Sequence, residues 1–394
     1  MSNDLGAILL IMTVVWGVGM LFRAIKLPLL LGELLAGLII GPAVLGWVHE
    51  TEAIKILAEF GIFFMMLHAG LETEPKQLFQ ASKSGIWIAL GGVIFPVLLG
   101  VTLARAFGVD WIQACFLGIA LSITAISVTV KIFKDMNYGD THIKNIVMAA
   151  AVADDILAFF LVSILLAIAG GHELTAAAIA FLVLKLLAFF GATLFIGEKV
   201  LPHLAQRFFN SSGGKAFTLT LVVALGFGFI AETMGIHFVI GAYMAGLFLK
   251  EEFINDDVYA KIEDRLFGMS YSFLGPIFFV SLGFHLSFGD FLDWNSFLFL
   301  VLFILAGVLG KVFGAGLLAR WTGQTWRNSG IIGFSMNGRG AVELVLATIG
   351  LEAGIITESM FSMLVLMAFV TTFITPIGLK LLLPKTNEHG LMQS

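Results

Sequence analysis

Apolar stretches of membrane-crossing length follow one another along almost the whole chain, separated by short charged punctuation. They fall at 5–22, 27–47, 53–71, 85–104, 112–130, 145–169, 174–197, 216–232, 236–249, 267–285, 296–319, 328–350 and 358–383, which predicts thirteen transmembrane helices. Crossing the hydrocarbon core takes roughly 20 mostly apolar residues per helix, and backbone polar groups there must be satisfied within the protein. The expected fold is therefore an all-α polytopic membrane protein. Composition agrees: 59% of residues are hydrophobic and 12% charged, with a mean hydropathy of +1.00, where soluble domains carry about 25% charged residues. The net charge of -5 says little, because the charges sit in loops. The single cysteine, Cys115, excludes an internal disulfide and a cysteine-based metal cluster and reads as a small core residue.

Charge placement supplies an independent check on this map. With the N-terminus outside, the loops assigned to the cytoplasm hold most of the 22 basic residues, whereas only Lys55 and Arg105 fall near the outer face. That asymmetry is what the positive-inside rule demands. Lys185, Lys311 and Arg339 fall within spans; Lys185 reads as snorkelling or paired. The first stretch has Asp4 before it and Arg23 and Lys26 after it, the reverse of a signal peptide, and reads as a retained span. The localisation expected is the inner (plasma) membrane, with residues 1–384 as one integral membrane domain and 385–394 as a short cytoplasmic tail. No G-x-G-x-x-G turn occurs, so no nucleotide fingerprint is present.

An internal repeat is visible. Leu31 to Ile40 (LGELLAGLII) matches Ile240 to Leu249 (IGAYMAGLFL), and Ile62-Phe63-Phe64 with Leu67 matches Ile277-Phe278-Phe279 with Leu282. The paired spans cross in opposite directions in this topology, as the inverted repeats of secondary transporters do. The same spacing relates Leu121–Lys131, with Ser122, Thr124, Ser127 and Thr129 inside an apolar span, to Ser335–Leu344 (SMNGRGAVEL) around Arg339. Both are polar interruptions. Transporters place unwound helices where free carbonyls and helix ends coordinate ions, although hydroxyls also bond back to their own helix.

Asp154 and Asp155 lie near the middle of the sixth span, in AAAVADDILAFF. One aspartate at a helix centre costs roughly 2.5–3.5 kcal/mol on insertion scales. Two side by side must face protein or water, pointing about 100° apart. Carboxylate oxygens are hard ligands for hard cations. A carboxyl that holds either a proton or a cation, never both, is all that exchange requires. Lys311, also mid-span, needs a carboxylate partner, and Asp154 is the candidate. Arg339 and Glu343, four apart, can pair on one helix face and brace the second interruption. Glu33 and Glu72 lie near span ends, where they can line an access funnel. His68, His237 and His285 read as packed or interfacial.

These segments resemble the monovalent cation:proton antiporters of the Kef and NapA type over nearly the whole chain. The resemblance is carried by PLLLGELLAGLIIGP (28–42), GLETEP (70–75), LSITAISV (121–128), AAVADDILAF (150–159), IGAYMAGLFL (240–249), GPIFFVSLG (275–283), LGK (309–311) and MNGRGAVEL (336–344). It implies inverted repeats with two crossing broken helices, a homodimer, and a core (about 85–197 and 296–383) moving against a dimerisation part (about 5–71 and 216–285). It further implies Asp155 as the ion and proton carrier, Asp154 as its neighbour paired with Lys311, Thr124 at the first broken helix, and Ser122, Ser127, Arg339 and Glu343 in support. An Asp-Asp pair goes with electrogenic sodium exchange. Ala341 after Arg339-Gly340, with the acid delayed to Glu343, is similar to potassium-linked branches. The expected substrates are Na+ or K+ and H+, with membrane lipids as surroundings, and no cofactor, nucleotide or nucleic acid. An aspartyl protease would need its two acids facing each other from separate helices, and an organic-solute symporter would need a roomier polar cavity.

Overall fold

The computed structural model describes residues 2–24, 29–72, 83–125, 129, 133, 138, 140–170, 176–201, 203, 213–234, 236–249, 256–287 and 289–382. Every regular element among them is helical: α1 (Ser2–Ala24), α2 (Leu29–Ile40), α3 (Glu52–Glu72), α4 (Lys83–Ala106), α5 (Trp111–Ala120), α6 (Thr141–Ala169), α7 (Ala176–Phe195), α8 (Gly213–Thr233), α9 (Phe238–Phe248), α10 (Asp256–Phe267), α11 (Gly275–Phe284), α12 (Trp294–Trp321), α13 (Trp326–Ser335), α14 (Ala341–Glu352) and α15 (Glu358–Leu382), with short π stretches after α7 and between α10 and α11 and a 3-10 turn before α12. Eight of the helices, taking α10 to α11 as one, are long and apolar enough to cross a membrane. The stretch expected at 267–285 belongs to a longer rod beginning at Asp257. Its backbone widens to π over Gly268–Leu274, directly before Pro276, which has no N–H to give the preceding turn. The stretch expected at 328–350 is two helices, α13 and α14, with residues 336–340 non-helical between them.

Helix starts follow local chemistry. Asp110 accepts from the Ile112 amide, Asp140 from Ile143, Asp293 from Asn295 and Ser296, Thr325 from Asn328 and Thr357 from Met360. Each satisfies an amide that the helix itself leaves open. α12 ends with Gly323 at φ +100°, a backbone conformation that favours glycine, while the Gln324 amide reaches back to the Ala319 carbonyl.

The chain divides into two compact units, Met1–Pro75 with Leu166–Ser287, and Lys76–Leu165 with Phe288–Ser394. In the first unit, glycines bring helices into backbone contact. A Cβ at Gly37 of α2 would strike the Val280 backbone of α11, and one at Gly246 of α9 would strike the Leu67 backbone of α3. The two sequence matches thus exchange partners: α2 packs on the second copy of the Ile-Phe-Phe segment, and α9 on the first. α1 turns Leu5, Leu9 and Trp16 outward, as a lipid-facing helix does.

In the second unit α4 and α12 meet through Gly91 and Gly314, each occupying the space where the other would carry a Cβ. Small residues at such a crossing let dispersion and backbone packing replace the hydrophobic effect that lipid cannot supply. Trp87 and Trp321 meet edge-to-face at 4.9 Å where α4 begins and α12 ends, and exposed Trp111 and Trp294 lie towards the opposite ends of those helices. This is the spacing of interfacial aromatic belts. The Gly91→Ala variant is expected to lose about 1–3 kcal/mol from overpacking, read as a lower melting temperature in detergent. Gly226→Ala, whose Cβ would meet nothing within 4 Å, should melt like the parent.

Candidate functional site

The second unit buries five charged side chains near two helix interruptions. Asp154, Asp155, Lys311, Arg339 and Glu343 are each at most 3% exposed. Buried charge is tolerable only when paired and hydrogen-bonded, so the partners of each define the site.

Lys311 of α12 has all three ammonium hydrogens engaged. Nζ lies 2.7 Å from Asp154 Oδ2 and 3.0 Å from the Gly92 carbonyl, and it donates as well to the Ser122 carbonyl. The Gly92 carbonyl is free for a local reason. Pro96 sits four residues on within α4 and lacks the N–H that would bond it. Gly310, one residue before the lysine, packs directly on Pro96. Ser122 therefore contributes through its backbone, while its hydroxyl donates to Ile119 at 2.7 Å.

Arg339 closes the end of α5. Its Nη1 donates to the carbonyls of Ala120 (3.2 Å) and Ile123, and its Nη2 to that of Leu121. These acceptors sit at and just beyond the helix end at Ala120: the Ala120 carbonyl takes only a long 3.4 Å bond from the Ile123 amide, and the Leu121 and Ile123 carbonyls lie in the non-helical turn. A cation at a helix C-terminus also offsets the negative end of the macrodipole. The reverse contact exists too. The Thr124 hydroxyl donates to Met336 O at 2.9 Å, the Thr129 hydroxyl to Ser335 O at 2.6 Å, and the Ala125 amide to Gly338 O at 2.8 Å. Each interruption thus supplies the donors that cap the helix broken at the other. Thr124 also lies beside the Asp154 carboxyl. Ser127 lies outside the described residues.

Glu343, in the first turn of α14, approaches Arg339 Nε at 3.7 Å, but neither of its oxygens makes a hydrogen bond. The Arg339 guanidinium is spent mainly on the α5 carbonyls, so the pair is looser than a simple brace between the two residues. Asp155, one residue from the lysine's partner, is equally deep in α6, and its Oδ1 has no hydrogen-bond partner; Oδ1 of Asp154 is also open. Three carboxylates and two cations leave one negative charge in excess when all are ionised. One monovalent cation or one proton makes the cluster neutral.

Several contributors were not singled out from sequence. Asn337 donates to Thr371 O and Thr375 Oγ1, each at 3.4 Å, and Thr372 donates to Arg339 O at 3.1 Å, so α15 holds the second interruption from behind. The signal was present as Thr371, Thr372 and Thr375 in an otherwise apolar span, and as Pro96 four residues after Gly92. Glu33 and His68 are buried in the first unit, Glu72 is half exposed 3.8 Å from His68, and His285 pairs with Glu50 at 3.4 Å.

Comparison with known proteins sets this site in a family. The family model described as sodium/hydrogen exchanger, transmembrane, matches residues 8–385. The Na(+)/H(+)-K(+) antiporter GerN of Bacillus cereus is 32% identical, over 90% of this chain and 89% of its own length. A Na(+)/H(+) antiporter of Enterococcus hirae is 30% identical, over 91% and 92%. The solved structure of the sodium proton antiporter MjNhaP1 from Methanocaldococcus jannaschii shares the fold, with a TM-score of 0.75 at 18% identity over 96% of this chain and 98% of that one. With its charged cluster buried among membrane-crossing helices and this likeness along nearly its full length, the chain belongs to the sodium/hydrogen exchanger family of transmembrane monovalent cation:proton antiporters, secondary transporters rather than enzymes.

Proposed function

We propose that the chain exchanges Na+ (and Li+) for H+ across the plasma membrane by alternating access, with Asp155 as the shared carrier of cation and proton. One observation carries this reading. Of the two adjacent aspartates, Asp154 is spent on Lys311, while Asp155 Oδ1 has no partner. A buried carboxylate without a fixed counter-ion is the group with most to gain from a bound cation. Thr124, the free oxygen of Asp154 and the carbonyls of the interruptions supply further hard donors.

The cycle follows from charge. The cluster carries one excess negative charge, and either a proton or a sodium ion on Asp155 removes it. Occupancy by one excludes the other, which couples the two fluxes. A cation drawing on Asp154 as well would loosen the Lys311 pair, and the lysine, left with carbonyl acceptors only, can give up a proton. Two protons would then move against one sodium ion, making the exchange electrogenic. The core expected over about 85–197 and 296–383, α4–α7 with α12–α15, would be the moving part, and α1–α3 with α8–α11 the dimerisation part of a homodimer, with thirteen spans, inverted repeats, crossing broken helices and the N-terminus outside. The partner exchange of α2 and α9 and the reciprocal capping of the two interruptions support the repeat.

Potassium is the second reading for the exchanged ion. Ala341 directly after Arg339-Gly340, and a relative named for both Na+ and K+, favour it. Exchange in everted vesicles with Na+, Li+ and K+ distinguishes the two. Sodium dependence is expected, and a pH gradient dissipated by K+ alone would decide for potassium.

Asp155→Asn should reduce exchange to the background of empty vesicles while the protein still inserts and purifies. Continued dissipation of the pH gradient by that variant overturns the carrier assignment. Asp154→Asn should weaken exchange and lower its dependence on membrane potential, measured in proteoliposomes with the potential clamped and unclamped. Unaltered rate and unaltered voltage dependence would mean that the Lys311 pair takes no part in transport.

A further inference from the structure

The first unit contains a feature that ion exchange does not use. An open groove of about 380 Å³ runs between α3, α8 and the start of α9. Its walls are apolar, with Phe60, Leu225 and Phe229 exposed beside it and Phe63 and Gly228 forming its floor. Two carboxylates, Glu59 and Glu232, open into the same groove. Glu232 is the last residue but one of α8, and Glu59 lies seven residues into α3, roughly 10 Å along the helix.

Among the described residues neither carboxylate forms an ion pair or a hydrogen bond. Lys55, one turn earlier on α3, acts instead on Glu50, which also pairs with His285. Carboxylates on a lipid-facing surface are costly unless something of opposite charge meets them. The groove therefore asks for an amphiphile, with an acyl chain against the phenylalanines and a cationic head at the acids. A second copy seated with this groove on its twofold axis would set like carboxylates together. A primary ammonium fits better than a quaternary one, because it donates three hydrogen bonds to carboxylate oxygens whereas a trimethylated nitrogen donates none.

We propose that this groove binds a phospholipid with a primary-ammonium headgroup, of the ethanolamine class, through Glu59 and Glu232. The test is native mass spectrometry of the detergent-purified chain titrated with phosphatidylethanolamine, phosphatidylcholine or phosphatidylglycerol of identical acyl chains. Retention of the ethanolamine lipid is expected to exceed that of the other two at least fivefold. The Glu59→Gln/Glu232→Gln double variant should lose that preference while holding phosphatidylcholine as the parent does. Both changes lie on exposed side chains, and size-exclusion elution of the variant checks the fold. Equal retention of the three lipids by the parent, or an undiminished ethanolamine preference in the variant, overturns the site. So does a variant that keeps its lipids but falls from dimer to monomer, which would assign the groove to a second copy. None of these readouts depends on transport, so they stand apart from the outcome for Asp155.

Discussion

Breaking a helix inside a membrane leaves carbonyls and amides with no water to receive them, and the rest of the second unit is arranged around that cost. α5 ends at Ala120 and α13 at Ser335, both in the interior. Arg339 meets the open carbonyls of the first, and the hydroxyls of Thr124 and Thr129 meet those of the second. Each interruption thus satisfies backbone groups that the other leaves open. The arginine is thus as much a backbone device as an electrostatic one, and its charge then requires a carboxylate nearby, which Glu343 supplies at a loose 3.7 Å.

The lysine repeats this logic. A proline opens the Gly92 carbonyl, an interruption opens the Ser122 carbonyl, and Asp154 supplies the charge. With Lys311 held by Asp154 and two backbone oxygens, and Arg339 nearest to Glu343, Asp155 is the acid of the cluster with no cation of its own. The glycine contacts between α4 and α12 serve the same end, since Lys311 reaches the Gly92 carbonyl only where the two backbones nearly touch.

Much of this was legible in the chain. Two aspartates among alanines, a lysine directly after a glycine and an arginine between two glycines are each anomalous in an apolar span, and anomalies of charge survive any uncertainty in helix ends. The matching of LGELLAGLII to IGAYMAGLFL pointed to related packing, and the structure shows α2 and α9 each using a glycine to meet the other's Ile-Phe-Phe segment. Contacts through the backbone were harder to read. Ser122 was expected in a supporting role; its hydroxyl bonds back to Ile119, and it is its carbonyl that faces the lysine. Asn337 and the threonines of α15 were hidden because polar residues in membrane helices usually bond back to their own turn, as Thr371 and Thr375 also do. The α10–α11 rod extended beyond its apolar stretch because Asp256–Phe267 is amphipathic, so hydropathy alone could not find its start.

Pro96 has a dynamic implication. In a regular helix the Gly92 oxygen would be shared, and an approaching ammonium would have to compete with an amide for it. Here that oxygen answers to Lys311 alone. If a bound cation draws Asp154 away, as the proposed cycle has it, the Gly92 carbonyl stays in place as an acceptor for the ammonium, and the side chain would swing about a tether instead of searching for a new resting place. On that reading a single imino acid would keep any opening and closing of the salt bridge a small local motion that leaves the surrounding helices undisturbed.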